Sequence, residues 1–183
     1  MKVGIIGCGL IGSRRADFLG EDELVIVADV NEQRAKELSE KHNCKFTTDS
    51  HEVMQNSEVE VVIIATTNQF LAEIAIDAMN NGKHCLIEKP GARTIDEYER
   101  MMNIAKTNGV TVKIGYNHRF HPSFLKAREI VDSGEIGEVM YVRGRYGHGG
   151  RLGYEKEWRA DPQKSGGGEM LDQGTHLIDL ARW

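Results

Sequence analysis

The sequence predicts an α/β architecture: a doubly wound parallel sheet over residues 1–119, followed by the start of an α+β domain over residues 120–183. Three observations carry this expectation. Short β-rich runs alternate with helical patterns along the first two thirds of the chain. Most of those runs are apolar on both faces, as expected of parallel strands covered by helices above and below. The first run also leads straight into a glycine-rich turn, Gly7-Cys8-Gly9-Leu10-Ile11-Gly12, at the start of a helical pattern.

In chain order, strands are expected at residues 2–6 and 23–28, more weakly at 44–46, and then at 59–66, 83–87 and 111–115. Between the fourth and fifth runs, Phe70, Leu71, Ile74, Ala75, Ala78 and Met79 fall on one helical stripe. Thr94 and Glu97 have capping-box spacing, in which a hydroxyl and a carboxylate satisfy free N–H groups at a helix start. Gly109 fits the matching stop. The pattern then changes. His121-Pro122 opens a helix to about Ser133, with proline at a favoured first-turn position. A strand is expected over 138–146, with Val139, Tyr141, Arg143 and Arg145 on one face and Met140, Val142 and Gly144 on the other. After a polar, glycine-rich loop comes GGGEMLDQGTHLIDLARW, helical in pattern to its last residue. A helix, one strand and an uncapped helix do not make a two-layer core, so the second domain reads as incomplete. No internal repeat or low-complexity segment interrupts the order.

Composition narrows the function classes. The chain has 183 residues, 40% hydrophobic and 28% charged, with a formal net charge of -5, as an ordinary soluble protein would. There is no basic field to gather nucleic acid. No apolar stretch approaches the roughly 20 residues needed to span a bilayer. The N-terminus lacks the longer apolar core and cleavage site of a signal peptide. Cys8, Cys44 and Cys85 form an odd set without metal-like spacing. Reduced thiols in the cytoplasm are the expectation.

The glycine turn has the GxGxxG spacing in the context the motif requires, between a strand and a helix. The first glycine allows the tight turn, the second lets a pyrophosphate approach the backbone, and the third lets helix and strand pack closely. Free N–H groups and the helix dipole then favour phosphates. Asp29 ends the second strand, 17 positions beyond Gly12. A carboxylate there accepts hydrogen bonds from ribose hydroxyls and repels a 2′-phosphate, so NAD is expected over NADP. Arg14, Arg15 and Arg34 are the residues that would soften the preference by standing near a 2′-phosphate.

The fifth run ends on Glu88-Lys89-Pro90. In open α/β sheets ligands bind beyond the carboxyl ends of the strands, where a Lys can meet a reacting group. Pro90 disfavours helix for Lys89 and keeps it extended. The plain alternative is a surface salt bridge closing a strand. Asp172 and His176 are four apart, with Asp179 on the same side. A carboxylate one turn from an imidazole can orient it and support its protonated form, as a general base requires. A surface Asp–His pair is one alternative. A metal site is another, for which no third ligand stands in an obvious motif.

These residues together resemble the glucose-fructose oxidoreductase / inositol dehydrogenase (Gfo/Idh/MocA) family. The features are the GxGxxG start, Asp29, Glu88-Lys89-Pro90, Gly115-Tyr116-Asn117-His118-Arg119-Phe120, and Trp158-Arg159 leading to GGGEMLDQGTH. The resemblance runs through the whole chain in order. It implies a Rossmann domain followed by a mostly antiparallel substrate and oligomerisation domain, and a homo-oligomer at full length. It implies catalysis by Lys89, Asp172 and His176. It implies dinucleotide contacts from Gly7, Gly9, Leu10, Ile11, Gly12, Asp29 and Asn31, then Thr66, Thr67, Asn68, Glu88 and Lys89, then Asn117, Trp158 and Arg159. Substrate contacts fall on Lys89, Arg119, His148, Arg151, Asp172 and His176. One departure is plain: the family usually has Thr-Pro-Asn-x-x-His after the fourth strand, and this chain has Thr66-Thr67-Asn68-Gln69-Phe70-Leu71.

The expected function is NAD-dependent oxidation or reduction at a secondary alcohol of a sugar, sugar nucleotide or cyclitol. His176 takes the hydroxyl proton, and Lys89 hydrogen-bonds the oxygen as it gains negative charge. The alternatives are a catalytically silent NAD- and sugar-sensing regulator, which would be expected to lose Lys89 or His176, and a family hydrolase or lyase that uses NAD transiently. A product of these 183 residues alone is expected to bind the dinucleotide without turning over a sugar.

Overall fold

The computed structural model of the chain describes residues 1–147 and 152–183. It divides into two compact units, Met1–Gly115 and Tyr116–Trp183. In the first, strands and helices alternate: β1 Lys2–Ile6, α1 Leu10–Asp17, β2 Glu23–Ala28, α2 Glu32–His42, β3 Lys45–Thr47, α3 Ser50–Gln55, β4 Val61–Ile64, α4 Asn68–Asn80, β5 His84–Ile87, α5 Ile95–Asn108 and β6 Val112–Ile114. The six strands form one sheet in the order β3-β2-β1-β4-β5-β6, and every pairing is parallel. All six carboxyl ends therefore share one edge. The winding reverses between β1 and β4, which puts the switch point of the doubly wound fold beside the glycine turn.

Burial explains the apolar runs. Along β4, Val62 and Ile64 pack with Leu71, Ala75 and Met79 of α4 and Met101 of α5, while Ile63 packs on the opposite face with Ile5, Val27, Ala35 and Leu38. Successive strand residues point to opposite faces, and both faces are covered, so no polar alternation survives. Each large side chain fully buried in this way contributes about 1.5–3 kcal/mol of transfer free energy. The α4 stripe is buried at Leu71, Ala75, Ala78 and Met79 and half-buried at Ile74. Phe70 departs from it. It lies in the first turn of α4 at the margin of the packed face and is 52% exposed.

Helix ends follow the capping signals. The Thr94 hydroxyl accepts from the N–H of Glu97 at 3.2 Å, and the Glu97 carboxylate accepts from the N–H of Arg93 at 2.7 Å, one residue further back than a strict capping box. Gly109 closes α5 in the left-handed region.

The second unit holds a 3-10 turn at Asn117–Phe120, α6 Pro122–Asp132, 3-10 turns at Tyr154–Lys156 and Trp158–Ala160, α7 Pro162–Ser165, a π-helical turn Met170–Gly174, and α8 Thr175–Arg182. His121 caps α6 by accepting from the N–H of Ser123, and Pro122 takes the first helical position. The strand expected over 138–146 is not formed; the segment is irregular. A strand persists by exchanging hydrogen bonds with a neighbour, and none of the described residues of this unit forms a strand to pair with it. Met140 and Tyr141 accordingly stay 92% and 81% exposed. Among the described residues, no helix is long and apolar enough to cross a membrane.

Candidate active site

The glycine turn is fixed from both sides. Gly7 adopts φ +99°, and a Cβ there would lie 2.6 Å from the carbonyl oxygen of Ala65. A Cβ on Gly12 would lie 1.8 Å from the carbonyl oxygen of Gly7, so α1 crosses the turn at a distance only glycine permits. Gly9 differs: a Cβ there meets nothing within 4 Å. It precedes Leu10 and Ile11 as the N-cap of α1 and offers no side-chain cap. The first N–H groups of a helix have no partner within it, so the open side of Gly9 faces donors suited to a phosphate.

Asp29 joins this turn to the end of β2. Its Oδ2 accepts from the N–H of Cys8 at 2.7 Å, and its Oδ1 accepts from the N–H of Asn31 at 2.8 Å. Each oxygen keeps a second lone pair for a ribose hydroxyl. Asn31 in turn caps α2 by accepting from the N–H of Arg34. At the end of β4, Thr67 is the N-cap of α4, the Thr66 hydroxyl donates to the Thr67 carbonyl at 3.3 Å, and Asn68 is buried. The residues present thus fit a dinucleotide: an open backbone turn, a held carboxylate and a row of polar groups on one sheet edge.

At the tip of β5, Glu88 pairs with a guanidinium from α1. Its Oε1 accepts from Nε of Arg15 in α1 at 2.6 Å, and the second guanidinium contact is also 2.6 Å. Arg15 was a candidate for softening cofactor preference; it is held instead at the β5 end. Lys89 is half-buried, the Lys89–Pro90 peptide is cis, and the Pro90 carbonyl accepts from the Tyr98 hydroxyl.

In the second unit, Asp172 and His176 are both 4% exposed and Asp179 is 8% exposed. The π turn carries Asp172, and α8 carries His176 and Asp179. The expected single α-helical face is therefore replaced by a π turn running into α8, an irregularity frequent at functional sites. Asp172 lies 3.5 Å from Nε of Arg159 and accepts from the amide of Gln173 at 3.2 Å. Arg159 also stands over the Trp158 ring at 4.6 Å. Arg119 forms a two-pronged pair with Asp179, with Nε donating at 2.7 Å, and this raises the guanidinium pKa above its ordinary value. Asn117 is exposed in its 3-10 turn. His148 and Arg151 lie outside the described residues.

Sequence reasoning also missed the neighbour of His176. The His118 ring lies almost parallel to that of His176, with centroids 3.8 Å apart and planes at 13°. Tyr116 meets His176 edge-on at 6.0 Å. No spacing rule links positions 118 and 176; the only available signal was an aromatic, His-bearing segment beside Asn117 and Arg119.

Fold, turn and held carboxylate define a dinucleotide-binding α/β protein. Residues 1–116 match the model of the Gfo/Idh/MocA oxidoreductase family, described as having an NAD-binding Rossmann fold, and residues 124–183 match the GFO/IDH/MocA C-terminal domain. The chain belongs to this family. It is 35% identical over 190 residues to the inositol 2-dehydrogenase of Salmonella paratyphi B, covering 100% of this chain and 54% of that protein. It is 30% identical over 205 residues to the levoglucosan dehydrogenase of Pseudarthrobacter phenanthrenivorans, covering 100% and 50%. Among solved structures, GenD2 from gentamicin A biosynthesis in complex with NAD superposes with a TM-score of 0.88 at 26% identity, covering 100% of this chain and 53% of that one. Levoglucosan dehydrogenase in complex with NADH gives 0.87 at 28% identity, covering 100% and 53%. The chain spans about half the length of the curated relatives it matches.

Proposed function

We propose that the protein carrying this chain is an NAD-dependent oxidoreductase acting on a secondary alcohol of a sugar, sugar nucleotide or cyclitol. The observation that carries this reading is the buried Asp172 and His176 set, in a chain whose first unit holds a dinucleotide turn and a strand-end lysine. The names of the relatives support the substrate class, since inositol and levoglucosan are polyhydroxy compounds.

Bound NAD supplies the two-electron acceptor. The chain's residues do the rest. The His176 imidazole takes the proton of the substrate hydroxyl as general base. The Lys89 ammonium donates to the same oxygen and offsets the negative charge it develops. Asp172, held by Arg159 and Gln173, orients the imidazole or a neighbouring substrate hydroxyl. Asn117, Trp158 and Arg159 contribute to cofactor contact, and Arg119, His148 and Arg151 to substrate choice. Buried Cys8 and Cys85 thiols suit a reducing cytoplasm, and we extend the reading to a homo-oligomer at full length.

The test is a spectrophotometric screen of the full-length protein with NAD against cyclitols, anhydrosugars, sugars and sugar nucleotides. Steady NADH formation with at least one is expected. A protein that binds NAD yet oxidises no member of the panel, or releases product with no net NADH, would contradict the reading.

A further inference from the structure

An ion pair joins the helix of the glycine turn to the lysine-bearing strand end. Arg15 lies in α1, which starts at that turn, and Glu88 directly precedes Lys89 at the end of β5. Arg15 Nε and a terminal guanidinium nitrogen both lie 2.6 Å from Glu88 Oε1. The pair passes over the end of β6. A Cβ on Gly115 would lie 2.7 Å from the guanidinium and 3.1 Å from Glu88 Oε1, so the glycine leaves the room that the contact needs. Backbone bonds brace the same place. The Glu88 N–H donates to the Ile64 carbonyl at 2.9 Å, the Glu88 carbonyl accepts from the N–H of Gly91 at 2.9 Å, and the Gly115 N–H donates to the Ile87 carbonyl at 2.7 Å. All of these groups belong to the first unit. The contacts that shape the glycine turn, at Gly7, Gly12 and Asp29, do not involve Arg15.

We propose that Arg15 is a positioning residue: through Glu88 it holds the backbone that carries Lys89 in fixed register with the glycine turn. Glu88 is largely buried, and a buried carboxylate that loses its cation is destabilised. Its strand end then shifts toward another partner or toward water, and the Lys89 ammonium shifts with it. Displacing a reacting group by about 1 Å costs up to about a hundredfold in rate. The helix α1 thus sets two distances at once, from its first turn to the dinucleotide and from its second turn to the lysine. Because the glycine turn keeps its own contacts, loss of Arg15 falls on turnover rather than on NAD affinity. The use of Lys89 in turnover rests on the dehydrogenase reading; the bracing of the strand end does not.

The experiment compares full-length wild type with three variants. Arg15→Met keeps the stem without the charge, Arg15→Lys restores a charge, and Arg14→Met removes a charge from the exposed face of the same helix. Hydrogen exchange at short labelling times reads local opening rather than global unfolding. In Arg15→Met it should be about tenfold faster over residues 84–92 and 110–116 and unchanged over residues 2–9. Turnover of a polyol with NAD, counted per NAD-binding site, should fall about tenfold while the Kd for NAD stays within about twofold. Arg15→Lys should recover part of both losses, and Arg14→Met should show neither. In a Lys89→Ala background Arg15→Met should lower kcat no further, since a residue that acts through another is silent once the other is gone. Should Arg15→Met fail to fold, Gly115→Ala supplies the same reading by pushing the guanidinium aside. Unchanged or sheet-wide exchange, full turnover in Arg15→Met, or an equal fall with and without Lys89 would overturn the proposal. Local exchange in a protein that oxidises no polyol would leave the brace standing and remove the dehydrogenase reading.

Discussion

Asp29 shows how one side chain can serve structure and specificity together. Its two oxygens accept from the N–H groups of Cys8 and Asn31, which ties the glycine turn to the end of β2 and fixes a negative charge where a ribose would lie. The unmutated chain should therefore bind NAD(H) more tightly than NADP(H), and Asp29→Ala should shrink that difference. Fluorescence titration with the two reduced cofactors measures it, and coincident curves for the unmutated chain would contradict it. The cysteines behave oppositely, as groups the fold makes inert. Burial pushes the Cys8 and Cys85 thiols up to about 12. A raised thiol pKa means less thiolate at any given pH. At pH 8 only about one molecule in ten thousand carries the nucleophile at either site, and one pH unit higher gives only tenfold more. A disulfide reagent should leave both unmodified in the native chain at pH 8 and titrate all three cysteines in denaturant. Rapid native labelling of Cys85 would show that its strand is not packed as described.

At the scale of elements, the ion pair between Arg15 and Glu88 joins α1 to the tip of β5 across 73 positions of sequence. The Glu88 side chain is only 12% exposed, so Arg15→Ala would leave a largely buried carboxylate without its cation. A loss of about 1–3 kcal/mol in chemical denaturation is expected, with partial recovery in Arg15→Lys and no change in Arg14→Ala, whose side chain lies on the exposed face. Equal stability of Arg15→Ala and wild type would contradict the pairing. This contact also marks what the sequence could and could not reveal. Local rules found β1 and β2 to the residue, placed the other four strands within a few positions, and located the caps at Thr94 and Gly109 and the start of α6 at His121-Pro122, because those depend on neighbours in the chain. The partners of Glu88 and His176 depend on residues brought near only by folding. The segment 138–146 failed for a related reason: alternation of apolar residues permits a strand, but a ladder partner makes one. Phe70 failed because a periodic stripe does not reveal where the packed face ends. At the candidate site, the glycine turn, Asp29, Lys89, Asp172 and His176 stood out by residue type and context. The π turn at Met170–Gly174 and the stacked His118 did not, since neither leaves a pattern in spacing.

At the scale of the whole molecule, the first unit is a parallel sheet with a glycine turn on its edge, and the second unit holds a buried acid and imidazole, in a chain of the Gfo/Idh/MocA family. The central claim is that binding and chemistry are carried by different residues. In the proposed mechanism the glycine turn and Asp29 would bind the dinucleotide, while Lys89 and His176 would act on the substrate hydroxyl. The most direct test uses the full-length protein and a substrate from the polyol panel, comparing wild type with Lys89→Ala and His176→Ala in both turnover and NAD affinity. Each substitution should lower kcat by at least about a hundredfold, the low end for a positioned acid–base group, while the Kd for NAD changes little. Near-normal turnover in either variant would contradict the claim and return Lys89 to a surface role at the end of β5.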